Sequence, residues 1–305
     1  MRLKLLTLIL LASKLVFGQI TETGKVGEWN YIATLPIGYD SLKAYPAIIF
    51  FPGLGEIGTD INKLKVNGVH AYNNVATALP GFIIISIQPV NAYPSASEMK
   101  SRIDCLKTLY NIDNQRMNFT GLSHGGWCSI TAVQWQAMYA RTITTVEGVQ
   151  PGNSQTFQPD TSALINYTSP YICFEQKNDY RKGDMIVNYL NNKIPGQAKY
   201  IITNFGGGGH CCWSSFYGAG NAAPNKFVEL NGMGLYEWIV EQNNTVVLGI
   251  TSLKFSRSGK ILRWIVDSET DIESYEVQST TDGKNYKTIK ILKPNGKKNY
   301  SYIIN

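Results

Sequence analysis

The sequence predicts an α/β chain, a mainly parallel sheet with helices on both faces, followed by a small all-β C-terminal module. Three observations lead there. Six short apolar runs rich in branched or aromatic residues recur before residue 245. Segments with helical spacing separate them, and after residue 245 the texture changes to apolar–polar alternation. The expected division is therefore 1–18 as a leader, 19–245 as the main domain and 246–305 as the small β module.

Residues 1–18 carry Arg2, Lys4 and Lys14 with no acid, around an apolar stretch from Leu5 to Leu11. This reads as a secretory signal peptide cut near Gly18. It is too short, and too interrupted by Lys14, for a spanning helix, and no later window is apolar enough to be one. The expectation is a secreted or periplasmic protein in which disulfides are permitted. Gly27 to Pro36 alternates as an antiparallel lead-in strand does. The apolar runs Tyr45–Phe51, Gly81–Gln88, Met117–Leu122, Thr142–Val146, Pro170–Phe174 and Lys199–Thr203 read as strands buried on both faces. Helical spacing over Ser97–Tyr110, Trp127–Tyr139, Asp184–Leu190 and Phe227–Val240 supplies the intervening helices. In the tail, Ile261–Ile265, Ser274–Gln278 and Tyr286–Ile291 alternate, with a hairpin signal at Asp282 and Gly283.

Charge narrows the function classes. The chain has a formal charge of +6, but residues 19–245 hold 15 basic and 16 acidic side chains. A near-neutral body gives no support to nucleic-acid binding. Three histidines leave little room for a multi-histidine metal site, and without a C-x-x-C pair zinc is not expected. No metal or organic cofactor is implied.

Chemistry concentrates at a few positions. Gly121, Ser123 and Gly125 form G-x-S-x-G between an expected strand and an expected helix, the context in which a serine hydroxyl is lifted above a sheet edge. The backbone N–H of His124, at the positive end of the following helix, then serves an oxyanion hole. A serine needs a base. His210 follows the last expected strand; His70 reads as a surface or satisfied histidine, and His124 adjoins the serine too closely to take its proton. The third member is a carboxylate beyond the penultimate strand. Asp179 is preferred, with Glu175, Asp184 and Glu147 as alternatives. The turn after Phe51 is either a plain glycine turn or the source of a second oxyanion donor, the Leu54 N–H. Trp127, Trp213 and Tyr217 lie close in sequence to these positions and are candidates for an aromatic pocket wall.

Taken together, the segments Ile112–Gly126 and Gly208–Trp213 with Tyr217 resemble the α/β-hydrolase family. The likeness is to secreted esterases of the dienelactone hydrolase and feruloyl or acetyl-xylan esterase type, including the group called predicted peptidases, over roughly residues 26–241. It implies an α/β-hydrolase fold and a triad of Ser123, Asp179 and His210, with His124 and Leu54 as oxyanion donors. The implied substrate is an ester, feruloyl or acetyl, carried on polysaccharide. Departures occur where the family has His-Gly: Pro52-Gly53 stands in the oxyanion turn and Glu175-Gln176 ahead of the acid. A peptidase or amidase with the same triad, or a non-catalytic glycan- or surface-binding protein, are the rival expectations. The tail, with Trp264 and Tyr275, resembles a shortened fibronectin type III-like module.

Of five cysteines, Cys105, Cys128 and Cys173 are expected to pack as small apolar residues. A bridge involving Cys211 or Cys212 would steady the histidine segment. Residues 149–168, polar and irregular, are the lid candidate.

Overall fold

The computed structural model describes residues 19–134, 138–148, 164–179, 183–244, 253–266, 274–279, 287–294 and 299–304. The leader, the Asp282-Gly283 turn and most of the 149–168 segment lie outside the described residues. The chain divides into two compact units between Asn244 and Thr245.

In the first unit, strands β1 (Ile20–Val26), β2 (Trp29–Leu35), β3 (Tyr45–Phe51), β4 (Ile83–Gln88), β5 (Ile112–Leu122), β6 (Thr142–Val146), β7 (Tyr171–Gln176) and β8 (Ala198–Thr203) form one eight-stranded sheet. Their order is β1-β2-β4-β3-β5-β6-β7-β8. β1 pairs antiparallel with β2, and β2 with β4; every later pairing is parallel. This is the α/β-hydrolase fold. The chain moves from β3 outward to β4, then returns to lay β5 on the other side of β3. Such a reversal is the kind of switch point outside whose strand C-terminal ends open α/β sheets bind ligands.

Helices α1 (Val75–Ala78), α2 (Ala96–Tyr110), α3 (His124–Thr131), α4 (Gly183–Lys193), α5 (Ser214–Tyr217) and α6 (Leu235–Asn244) cover the sheet. The two faces follow from the period of two along β3. Ala47, Ile49 and Phe51 face one core, with Met99, Ile103 and Leu106 of α2, Ile130 of α3 and Ile186 and Leu190 of α4. Ile48 and Phe50 face the other, with Val75 of α1, Phe216 of α5 and Leu235 and Ile239 of α6. The N-terminus of α2 is capped by Ser95, whose Oγ accepts from the Glu98 N–H at 3.2 Å; the helix ends at Asn111 in the left-handed region, φ 45°.

Three elements depart from expectation. β1 carries too little apolar signal to be read as a strand, and exists because it pairs residue for residue with β2 across the turn at Gly27. The helix expected over Trp127–Tyr139 instead starts at His124, immediately after the serine. The helix expected from Phe227 starts at Leu235, because Asn231 and Gly232 both have positive φ and break the earlier turn.

The second unit has strands β9 (Leu253–Ser258), β10 (Ile261–Val266), β11 (Tyr275–Ser279), β12 (Lys287–Leu292) and β13 (Asn299–Ile303). They pair antiparallel as β13-β10-β9 and β11-β12. Trp264, Val266, Val277 and Tyr300 form its core, with the rings of Trp264 and Tyr300 stacked 5.3 Å apart.

Candidate active site

Ser123 sits between β5 and α3 with φ 50° and ψ −122°, a conformation that costs an L-residue about 1–3 kcal/mol and is kept only where surroundings impose it. The Ser123 N–H donates to the Val146 carbonyl at 2.8 Å, and its carbonyl accepts from the Gly126 N–H at 3.0 Å. The turn also needs a close approach. A Cβ on Gly125 would stand 1.9 Å from the Phe51 carbonyl oxygen, so α3 starts in backbone contact with β3 only because no side chain intervenes.

The histidine arrives from the far edge. After β8, Gly206, Gly207, Gly208 and Gly209 run with φ of 59°, 92°, 89° and 84°, a left-handed path open to glycine. The Gly209 N–H donates to the Lys177 carbonyl at 2.8 Å, latching this turn to the loop after β7. Gln176 adds a second tie, its Oε1 accepting from the Phe205 N–H at 2.8 Å. In the β7 loop Asn178 also takes a positive φ, 67°, and the Asp179 N–H donates to the Gln176 carbonyl at 3.0 Å.

These three segments bring the predicted residues together. Ser123 Oγ lies 2.8 Å from His210 Nε2, and His210 Nδ1 lies 3.2 Å from Asp179 Oδ2. The Asp179 side chain is fully buried, while that of His210 is 27% exposed. The alternative acids go elsewhere. Glu175 accepts from the Gly183 N–H at 2.7 Å and from the Tyr200 hydroxyl, so it caps α4, and burial raises its pKa. Asp184 lies in the first turn of α4.

Glu147 does reach the imidazole. Its Oε2 is 3.3 Å from His210 Nδ1 and accepts from the Cys211 N–H at 3.0 Å. Its side chain is fully buried, and desolvation pushes its pKa up to about 7; the hydrogen bond from His210 opposes this and the charge of Asp179 adds to it. It follows β6 as directly as Asp179's loop follows β7, and that parallel was available in the sequence. Among the described residues, Glu147, Asp179 and His210 are also the group whose ligand atoms converge, within 4.8 Å. Both imidazole nitrogens have a neighbour, the two carboxylates at Nδ1 and Ser123 Oγ at Nε2.

His124 is the first residue of α3, where backbone N–H groups point out of the helix start. Leu54 opens the short turn Leu54–Glu56 after β3, and a Cβ on the preceding Gly53 would lie 3.7 Å from Ser123 Cβ. His124 thus follows the serine directly, and Gly53, the residue before Leu54, lies beside it. The aromatic candidates divide. Trp213 packs edge-on against His210, ring centroids 4.9 Å apart, and Trp127 stacks on His124 at 5.1 Å. Tyr217 is a correction: it is fully buried and its hydroxyl bonds Thr120 at 2.8 Å, which makes it packing beneath the sheet and not a pocket wall. Tyr93, unforeseen, is exposed and packs edge-on to both His124 and Trp127. A concavity of about 420 Å³ lined by Tyr171, Ile194, Lys199 and Trp238 lies at the N-terminal ends of β7 and β8, opposite the serine.

Cys211 and Cys212 are bonded to each other as a vicinal disulfide directly after His210, with Cys212 at φ 69°. Cys128 and Cys173 are buried as expected; Cys105 is exposed, on the outer face of α2. His70 lies in the turn Val69–Ala71 and is satisfied, with Nδ1 2.6 Å from Ser86 Oγ and Nε2 3.3 Å from Thr34 Oγ1. No described helix is long and apolar enough to cross a membrane.

No family model and no curated protein matches the chain. Among solved structures it is similar to a thermostable esterase, at 20% identity and a TM-score of 0.46, covering 74% of this chain and 60% of that one. It is also similar to a mutant feruloyl esterase module from Clostridium thermocellum complexed with sinapinate (16% identity, TM-score 0.48, 64% of this chain and 82% of that one). A third is Thermogutta terrifontis esterase 2 phosphorylated by paraoxon (13% identity, TM-score 0.46, 65% and 85%). The chain thus spans about three fifths of the length of the thermostable esterase.

Proposed function

We propose that the chain is a secreted serine hydrolase that cleaves carboxylic esters. The observation that carries this reading is the hydrogen-bonded series Ser123 Oγ, His210 Nε2, His210 Nδ1 and Asp179 Oδ2, at the C-terminal edge of a parallel sheet. In the proposed reaction Ser123 Oγ attacks the ester carbonyl carbon while His210 Nε2 takes its proton. Asp179 accepts from Nδ1–H, holds that tautomer and stabilises the imidazolium. The oxyanion receives the backbone N–H groups of His124 and Leu54. The imidazolium gives its proton to the departing alcohol, leaving an acyl-enzyme. Water, deprotonated by His210, then releases the acid and restores Ser123.

For the acyl group, a flat aromatic acid of the feruloyl kind is preferred over acetyl. Support comes from aromatic rings on both sides of the serine–histidine pair: Tyr93 and Trp127 beside His124, and Trp213 beside His210. A polysaccharide carrying that ester is the proposed natural substrate. Residues 1–18 are proposed as the export leader, residues 19–245 as the catalytic domain and residues 246–305 as a fibronectin type III-like accessory module.

The test is turnover of a chromogenic ester series, acetyl to octanoyl plus feruloyl, with matched anilides alongside. Ser123→Ala should lower ester turnover by ~10³-fold or more. Anilide turnover equal to ester turnover would reassign the chain as an amidase. No serine-dependent turnover of either would remove the hydrolase reading.

A further inference from the structure

We propose that Glu147 is a positioning residue of this site: with Asp179 it clamps His210 Nδ1 between two carboxylates, and it holds the imidazole alone when Asp179 is lost. The inference rests on the hydrolase reading for its kinetic consequence, but the contact itself stands on geometry.

The two carboxylates reach Nδ1 at nearly equal distances, 3.2 Å from Asp179 Oδ2 and 3.3 Å from Glu147 Oε2. They come from the ends of two neighbouring strands, β7 and β6. Glu147 is held there at some cost. Its backbone has φ 51°, its N–H donates to the Phe174 carbonyl at 2.7 Å, and its Oε2 is fixed by the Cys211 N–H. Among the described residues, Glu147 Oε1 and Asp179 Oδ1 are buried without a hydrogen-bond partner, an arrangement that packing alone would not favour. A single Nδ1–H is thus shared by two acceptors, while two adjacent negative charges repel. The titratable groups facing Glu147 among the described residues are Asp179 from the β7 loop and His210 from the turn after β8. Both carboxylates charged would be costly beside a neutral imidazole and favourable beside an imidazolium, so proton release from Glu147 and from His210 is coupled.

A bystander glutamate and a clamp differ in what they do to the ring. In full-length chain labelled with ¹⁵N-histidine, His70 is set apart because burial lowers its pKa to about 3. The His210 ring can then be titrated in wild type, Glu147→Gln and Asp179→Asn. Glu147→Gln should lower the His210 titration by ~0.5–1 pH unit, because the imidazolium loses an adjacent negative charge. In ester turnover, Asp179→Asn should lose only ~10²-fold and regain rate as pH rises through ionisation of Glu147. The double variant should lose ~10⁴-fold, the usual cost of leaving the imidazole with no acid. An unchanged His210 titration in Glu147→Gln overturns the clamp, as does an Asp179→Asn variant no faster than the double variant. Should Glu147→Gln fail to fold, the size of the loss in Asp179→Asn decides alone: a loss of ~10⁴-fold, that of an imidazole with no acid, refutes the takeover. A wild-type chain that hydrolyses nothing, yet shows the ring shift, would sink the hydrolase reading and leave the clamp standing.

Discussion

Replacing Gly125 by alanine tests the close approach that aims the serine. The added Cβ would stand 1.9 Å from the Phe51 carbonyl oxygen and 2.6 Å from the Pro52 oxygen, both backbone atoms that cannot swing aside. Ordinary contact begins near 3.4 Å, so α3 must retreat from β3 by ~1.5 Å. Ser123 rides on the first turn of α3, and its Oγ now lies 2.8 Å from His210 Nε2; a retreat of that size breaks the contact. A misplacement of ~1 Å is enough to cost about 10²-fold in rate. Overpacking also destabilises, by about 1–3 kcal/mol. For a unit of this size each kcal/mol lowers Tm by roughly 2–4 °C. The expected result is therefore a folded protein with a Tm a few degrees lower and ester turnover reduced by ~10²-fold or more, read by thermal melting and by initial rates on one substrate. Turnover within twofold of wild type would refute the claim that backbone contact between α3 and β3 positions Ser123.

Other outcomes follow from the same geometry. His70 is held neutral with its pKa lowered to about 3, chiefly by burial, while an unfolded histidine titrates near 6.5. Between those values the unfolded chain binds the extra proton, so stability is full above about pH 6.5 and falls as pH drops toward 3, by up to ~1.4 kcal/mol per pH unit. Denaturant melts across that window should show the slope, and His70→Gln should flatten it. Reduction of the Cys211–Cys212 bond should add two hydrogens to the intact mass and slow ester turnover several-fold, because the Cys211 N–H is a donor to Glu147; an unchanged rate would show the bond to be irrelevant to the site. Trp213→Ala should raise KM for feruloyl more than for acetyl esters, and equal effects on both would deny the ring a part in acyl recognition.

Much of the sheet was legible because strands buried on both faces leave continuous apolar runs, as Tyr45–Phe51 and Ile83–Gln88 do. β1 was not, since its Ile-Thr-Glu-Thr-Gly sequence faces solvent and becomes a strand only through pairing with β2. The start of α3 was misread because helical periodicity marks the buried face, whereas the first turn is set by the strained Ser123 and the contact at Gly125. Ser123, His210 and Asp179 were found through local context: each follows a strand at the same edge of the sheet. Glu147 follows β6 in the same way, but a triad has one place for an acid and the chain supplies two. Tyr217 was misassigned because nearness in sequence says nothing of direction; the side chain points under the sheet to Thr120. Tyr93, thirty residues ahead of the serine, carries no local signal at all.

The four consecutive glycines ahead of His210 set a limit on how this site can be altered by selection or by design. Each lies at a backbone angle that other residues occupy only under strain, so substitution anywhere from Gly206 to Gly209 is penalised whatever the side chain. Random libraries spanning that turn will consist mostly of dead clones. The rings at Tyr93 and Trp127 bear no such backbone constraint and do not touch His210 in the ring contacts described, so diversity is better placed there than in the glycine turn.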